Sequence, residues 1–275
     1  MEGLHTLANN LHKGLCVYKS KSDCLQVLQA TQQLSLPWWN ERCTEYVQTL
    51  ENCIESVTNA SFSPGIRYPI IVLEGLDGVG KTLTTQALAS KLGGMEQHTP
   101  PPAWSDIRPL FRMQDNDISR AFYSGSNYIA APSILHAAYT QFVIVDRWWC
   151  STCAMGLANQ FTTSTLPPDG DAVYEWPSDL SKPDFGFYLF VDEHIRSTRV
   201  RRRGNEDSEE QMLSKKSEMR ATASEAYRRT HLLHPIEVPN FRAAVNIILA
   251  FLKEKGIHHL PVPFSDAEVA EIRPF

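Results

Sequence analysis

The chain has 275 residues, 43% of them hydrophobic, enough for one sizeable α/β core with a small helical addition. Its formal net charge of −5 lacks the basic excess of a nucleic-acid binder, so no nucleic-acid partner is expected and any nucleotide it holds is a small one. The longest apolar stretches, such as Ile70 to Leu73 and Phe187 to Val191, fall far short of the roughly 20 residues that cross a bilayer, so no membrane partner is expected either.

Residues 1–19 carry neither the apolar core of a signal peptide nor the Arg-rich and Ser-rich character of a transit peptide. That leaves a cytoplasmic protein or one whose presequence has been removed. A weak helical pattern over residues 23–34 ends at Leu36-Pro37, because proline pushes the residue before it out of helical conformation. Over residues 40–57, Cys43, Tyr46, Val47, Leu50, Cys53, Ile54 and Val57 share one helical face. Residues 1–62 therefore read as a helical extension without a catalytic motif, joined to the rest by a linker around Pro64-Gly65.

From Tyr68 short apolar runs alternate with helical segments, the signature of a parallel sheet with helices on both faces. Strands are expected at 69–74, 142–146, 185–191 and 234–238, with a shorter one near Gln97. Helices are expected over 80–92, 115–139, 147–160, 193–203, 206–230 and 240–255, and Pro132 should kink or divide the second of these. This α/β body spans 68–255, and residues 256–275 form a tail that matches no motif. The six cysteines show no paired zinc spacing, so Cys150-x-x-Cys153 reads as two helix-packing thiols.

Three clusters carry chemistry. Gly75-Leu-Asp77-Gly78-Val79-Gly80-Lys81-Thr82 matches G-x-x-x-x-G-K-[ST] between a strand and a helix. Its glycines let the backbone curl around phosphate oxygens, so that N–H groups and a helix N-terminus converge on the anion. Lys81 should reach the β- and γ-phosphates, and Thr82 should ligate Mg²⁺. Phe142-Val-Ile-Val-Asp146-Arg147 is an apolar strand ending in a carboxylate. Ligands of open α/β sheets sit beyond the carboxyl ends of the strands, which puts Asp146 beside the loop as a second holder of Mg²⁺. The basic run Arg196, Arg199, Arg201, Arg202 and Arg203, ending at Gly204, reads as a lid whose guanidinium groups close over a transferring phosphoryl. The competing readings are a hairpin turn at Asp77-Gly78 and solvated charges at the other two places. A GTPase would need N-K-x-D, and Ser181-Lys-Pro-Asp184 is a poor substitute.

Together these residues resemble the thymidylate-kinase branch of the nucleoside monophosphate kinases. Glu74-Gly75-Leu-Asp77 with the rest of the loop is similar to that branch's E-G-x-D-x-x-G-K-[ST], and Asp146-Arg147-Trp148 to its D-R-Y. Arg120-Ala-Phe122-Tyr123-Ser-Gly-Ser-Asn127-Tyr-Ile129, Asp146 to Thr152, Val173 to Leu180 and Lys182-Pro183-Asp184 resemble the members that act on UMP and CMP in mitochondria. The resemblance covers roughly residues 68–255.

It implies a P-loop NTPase-type five-stranded parallel sheet with helices on both faces. It also implies γ-phosphoryl transfer from Mg-ATP to a pyrimidine nucleoside monophosphate or its deoxy form, with Mg²⁺ as cofactor, and a mitochondrial location. A homodimer is left open. Asp77 would touch the acceptor sugar, Arg147 the acceptor or transferring phosphate, and Phe122, Tyr123 and Asn127 would form the base platform, with at least one of the two aromatics in the core. Gly78 stands where some members carry an arginine, so the catalytic arginine beside Lys81 and Arg147 would come from Arg199, Arg202 or Arg203. The acceptor-loop R-E-P of thymidylate kinases is missing and Thr99-Pro-Pro-Pro102 occupies its region, which argues against thymidylate as the acceptor. A thymidylate kinase, a deoxynucleoside kinase accepting a 5′-hydroxyl, and a nucleotide-binding scaffold without chemistry are the alternatives.

Overall fold

The central strand owes its place to five successive residues that can all be buried: β1 (Ile70–Glu74) is covered on both faces, as a strand inside a parallel sheet must be. The computed structural model describes residues 16–53, 67–202 and 217–272. In chain order these hold α1 (Lys21–Gln33), α2 (Glu41–Asn52), β1, α3 (Lys81–Leu92), β2 (Met95–His98), α4 (Arg108–Arg112), α5 (Asn116–Ala138), β3 (Val143–Asp146), α6 (Trp149–Ala158), β4 (Phe185–Phe190), α7 (Glu193–Arg202), α8 (Ser217–Arg229), β5 (His234–Glu237), α9 (Phe241–Glu254) and α10 (Asp266–Ala270).

The sheet runs β2-β3-β1-β4-β5 with every neighbouring pair parallel. Its register sets Leu73 of β1 opposite Asp146 of β3. The loop that leaves β1 and the carboxylate that ends β3 therefore emerge side by side. Arg67 grips both oxygens of Asp184 at 2.6 and 2.8 Å while Asp184 accepts from the Ile70 backbone, tying the entry of β4 to that of β1.

All five expected strands are present, including the short one at Gln97. The helix expected over 40–57 appears as α2, with 54–57 outside the described residues, as is the linker over 61–66. The helix expected over 206–230 is described from Ser217 onward; residues 203–216, which include Arg203, lie outside the described part. Of the two outcomes expected at Pro132, division does not occur: α5 runs through it as a single helix, because its packing on α1, α2 and α6 offsets the backbone bond that proline removes. The short α4 and α10 had no periodic signal. The tail folds back on α9 and α3: Asn246 exchanges two bonds with the Phe264 backbone, and Lys91 donates to the Val262 carbonyl.

The extension shares the main core. Cys43, Tyr46, Val47 and Leu50 of α2 are buried, and the Tyr46 hydroxyl donates to the Phe122 carbonyl of α5 at 2.7 Å. Gly125 of α5 makes room for this approach, since a Cβ there would stand 2.8 Å from Leu50 and 2.9 Å from the Tyr46 hydroxyl. Trp38, Trp39, Tyr46, Phe111 and Phe122 form one aromatic cluster beneath α4 and α5.

Candidate active site

The loop from Gly75 to Gly80 joins β1 to α3. Two of its glycines are fixed by space and backbone angle together. A Cβ on Gly75, at φ +140°, would stand 2.3 Å from the Leu189 carbonyl oxygen; one on Gly78, at φ +85°, would meet Val200 at 2.7 Å. Gly80, also left-handed, starts α3 and aims that helix's N-terminus into the loop.

Lys81 is buried, and its Nζ donates to the Leu76 carbonyl at 2.7 Å and lies 3.7 Å from Asp77 Oδ1. Burial and the nearby Arg147 cation push its pKa down to about 8, against the pull of Asp77, Asp146 and Glu74. Thr82 Oγ1 donates to Asp146 Oδ2 at 2.7 Å, whereas Asp146 Oδ1 is buried with no hydrogen-bond partner among the described residues. A hydroxyl and a carboxylate with an unused buried oxygen are the hard donors that Mg²⁺ takes, so these two side chains fit that ion.

Arg147 adopts a left-handed backbone at φ +71°, which for a residue with a Cβ costs on the order of 1 to 3 kcal/mol. Neighbours hold it there: its N–H donates to the Leu73 carbonyl at 3.0 Å, and its own carbonyl accepts from Thr99 Oγ1 at 3.0 Å. The turn swings the guanidinium back to the loop, where it donates to the Gly75 carbonyl, Ser151 Oγ and Asp77 Oδ1. Burial opposes the charge of Asp77, but Arg147 and Lys81 outweigh it and hold that carboxyl well below the usual range.

Glu74 was legible only as part of the loop motif, yet the structure gives it a separate task. Fully buried, it accepts from the backbone N–H groups of Trp148 at 2.9 Å and Ser151 at 3.2 Å, and from the Ser151 hydroxyl, so it caps the N-terminus of α6. Burial pushes its pKa up to about 7 in spite of these bonds and of Arg147. The single Ser151 proton goes to Glu74, so Ser151 Oγ accepts from Arg147 and from the Tyr227 hydroxyl of α8, 2.9 Å away.

A hollow opens between the loop and α5 and α6. Gly75, Leu76 and Asp77 form one wall; Thr99 and Pro100 follow β2; Arg108, Arg120 and Tyr123 come from α4 and α5; Arg147, Trp148, Ser151, Thr152 and Met155 complete it. A second hollow, beyond the ends of β2 and β3, is lined by Thr82, Asp146, Glu96 and His98 and shares Asp77, Thr99, Arg108 and Arg147 with the first. Tyr123 faces the first hollow, with Arg120 over its ring at 4.7 Å.

Three expected site residues lie elsewhere. Phe122 has no exposure and stacks on Phe111 with centroids 4.6 Å apart, so it belongs to the core and not to a base platform. Asn127, one turn beyond Tyr123, is fully buried and lines neither hollow; neither of its amide atoms has a hydrogen-bond partner among the described residues. Arg199 is buried and donates to the backbone carbonyls of Val79 and Pro239, and Arg196 beside it donates to that of Asp77. α7 thus braces the loop through its carbonyls, because the main-chain oxygens of a loop whose N–H groups turn inward need donors from outside.

A parallel sheet of this order, with a glycine-rich phosphate loop leaving its central strand, defines the P-loop NTPase-type fold. The chain belongs to the thymidylate kinase family, whose sequence model, described as Thymidylate kinase, matches residues 73–238. It is 34% identical over 194 residues to human UMP-CMP kinase 2, mitochondrial, a match that covers 69% of this chain and 43% of the human protein. The chain therefore spans less than half the length of that relative. Among solved structures, the thymidylate kinase of Candida albicans aligns with a TM-score of 0.50 at 15% identity, over 72% of this chain and 99% of that one, a likeness of fold.

Proposed function

We propose that this chain is a nucleoside monophosphate kinase that moves the γ-phosphoryl group of Mg-ATP onto the phosphate of CMP, UMP or their deoxy forms. The observation that carries the reading is the Arg147–Asp77 pair on the rim common to the two hollows, one beside the phosphate loop and one lined by Tyr123. Membership of the thymidylate kinase family and likeness to a human UMP-CMP kinase support it, and the human relative's name supports action in mitochondria.

The attacking phosphate oxygen is ionised near neutral pH, so alignment and charge neutralisation carry the reaction without a general base. Lys81 binds the β- and γ-phosphates, exchanging the Leu76 carbonyl for phosphate oxygens. Thr82 and Asp146 would hold Mg²⁺, which when bound supplies further positive charge at the phosphates. Arg147, fixed by Ser151 and through it by Glu74, faces the acceptor phosphate, while Asp77 orients Arg147 and the acceptor sugar. Tyr123 offers its ring to the base.

Coupled ADP release measured with CMP, UMP, dCMP, dUMP and dTMP tests this. The first four should exceed dTMP by roughly tenfold or more in kcat/KM, a difference that one methyl group can impose on a fitted site. ADP release that is unchanged by adding any monophosphate would sink the reading.

A further inference from the structure

The acceptor loop presents a difficulty that the chain itself resolves. Thr99-Pro100-Pro101-Pro102 offers no cation where a monophosphate dianion must dock next to the loop. We propose that Arg108, the first residue of α4, supplies it and binds the acceptor phosphate opposite Arg147. This rests on the kinase reading above.

Four residues line both hollows: Asp77, Thr99, Arg108 and Arg147. Only two of them are cations, and a phosphate passing a phosphoryl group between the hollows must sit at their junction. The charge of Arg108 is felt there, since it is among the groups that keep Asp77 ionised. Its Nε donates to the Tyr123 hydroxyl at 3.2 Å, which sets the plane of the guanidinium. A planar guanidinium anchored at Nε suits two parallel bonds to phosphate oxygens.

Arg108 is itself exposed, but the backbone that carries it is anchored. Ile107 and Phe111 on either side are buried, and Phe111 stacks on Phe122. The extension holds the preceding turn: Arg42 of α2 donates to the Ala103 carbonyl at 2.6 Å and to Asp106 at 3.0 Å. The helical extension thereby acts as a support for the acceptor site, by fixing the segment that carries Arg108.

The test compares the 275-residue chain with its Arg108→Ala and Arg108→Lys variants, by steady-state kinetics with CMP and ATP and by inhibition with cytidine, which lacks the phosphate. Removing a charge-assisted bidentate contact should raise the KM for CMP roughly 10- to 100-fold, while the KM for ATP and the inhibition by cytidine stay within twofold. Arg108→Lys should recover part of the loss. Equal weakening of CMP and cytidine would make Arg108 a support for Tyr123 and overturn the assignment, as would an unchanged KM for CMP. Wild-type chain that turns over no monophosphate at all would overturn the kinase reading and this assignment together.

Discussion

The donor side and the acceptor side of this site are built in opposite ways. The phosphate loop occupies residues 75–82 without a gap, and one strand, one turn and one helix place every part of it. The acceptor hollow gathers Asp77 from that loop, Thr99 from beyond β2, Arg108 from α4, Arg120 and Tyr123 from α5, and Arg147 and Ser151 from the start of α6. A site made by one local bend is tied to the bend's own glycines, whereas a site made by convergence can change acceptor by changing one contributing segment. In the assignment proposed above, the proline-rich stretch after β2 contributes no cation and Arg108 of α4 supplies one.

This contrast can be broken by experiment. Lys81→Ala should lower kcat/KM by about 10³-fold by the same factor for every monophosphate, because the donor side does not see which acceptor is bound. A loss that depends on the acceptor in a coupled assay would show that the two sides are not separable. Next in size, Phe122→Ala should destabilise the fold by about 3 kcal/mol in urea unfolding, since it empties the aromatic cluster, whereas Tyr123→Phe should leave stability alone and act only on the KM for CMP. Reversed outcomes would exchange the roles of the two rings.

The smallest effect concerns Glu74, which joins the two sides. Its folded pKa of about 7 lies above its ordinary value of 4.5, so the folded state holds more protons and stability must fall as pH rises between those values. From pH 5 to pH 8 the wild type should lose about 2 kcal/mol relative to Glu74→Gln, whose stability lacks this slope. Parallel pH profiles of the two proteins, measured by denaturant unfolding, would show instead that Glu74 is ionised in the fold throughout.

The same contrast sets what could be read in advance. Strands, most helices and the whole phosphate loop were legible, because alternation of apolar runs and the positions of glycine are local signals. The place of Asp146 beside the phosphate loop was also legible, since ligands of open α/β sheets sit beyond the carboxyl ends of the strands. The choice between Phe122 and Tyr123 was not: α5 is buried on nearly all sides, so helical periodicity has no polar face to separate core from hollow. Arg199 was misread for a different reason. A basic run looks solvated or poised to close on an anion, and nothing in sequence shows that backbone carbonyls of the loop will claim the guanidinium first. Arg108 carried no signal at all, because its short helix has too few residues to show a period.

Gly125 leaves one last mark. With the Tyr46 hydroxyl and Leu50 closing over its bare backbone, the amino-terminal helices and the nucleotide-handling body meet at a seam with no slack. Any side chain at position 125 would have to push Leu50 and the Tyr46 hydroxyl aside, so the first two helices can stay seated on the body only while that one backbone position stays bare.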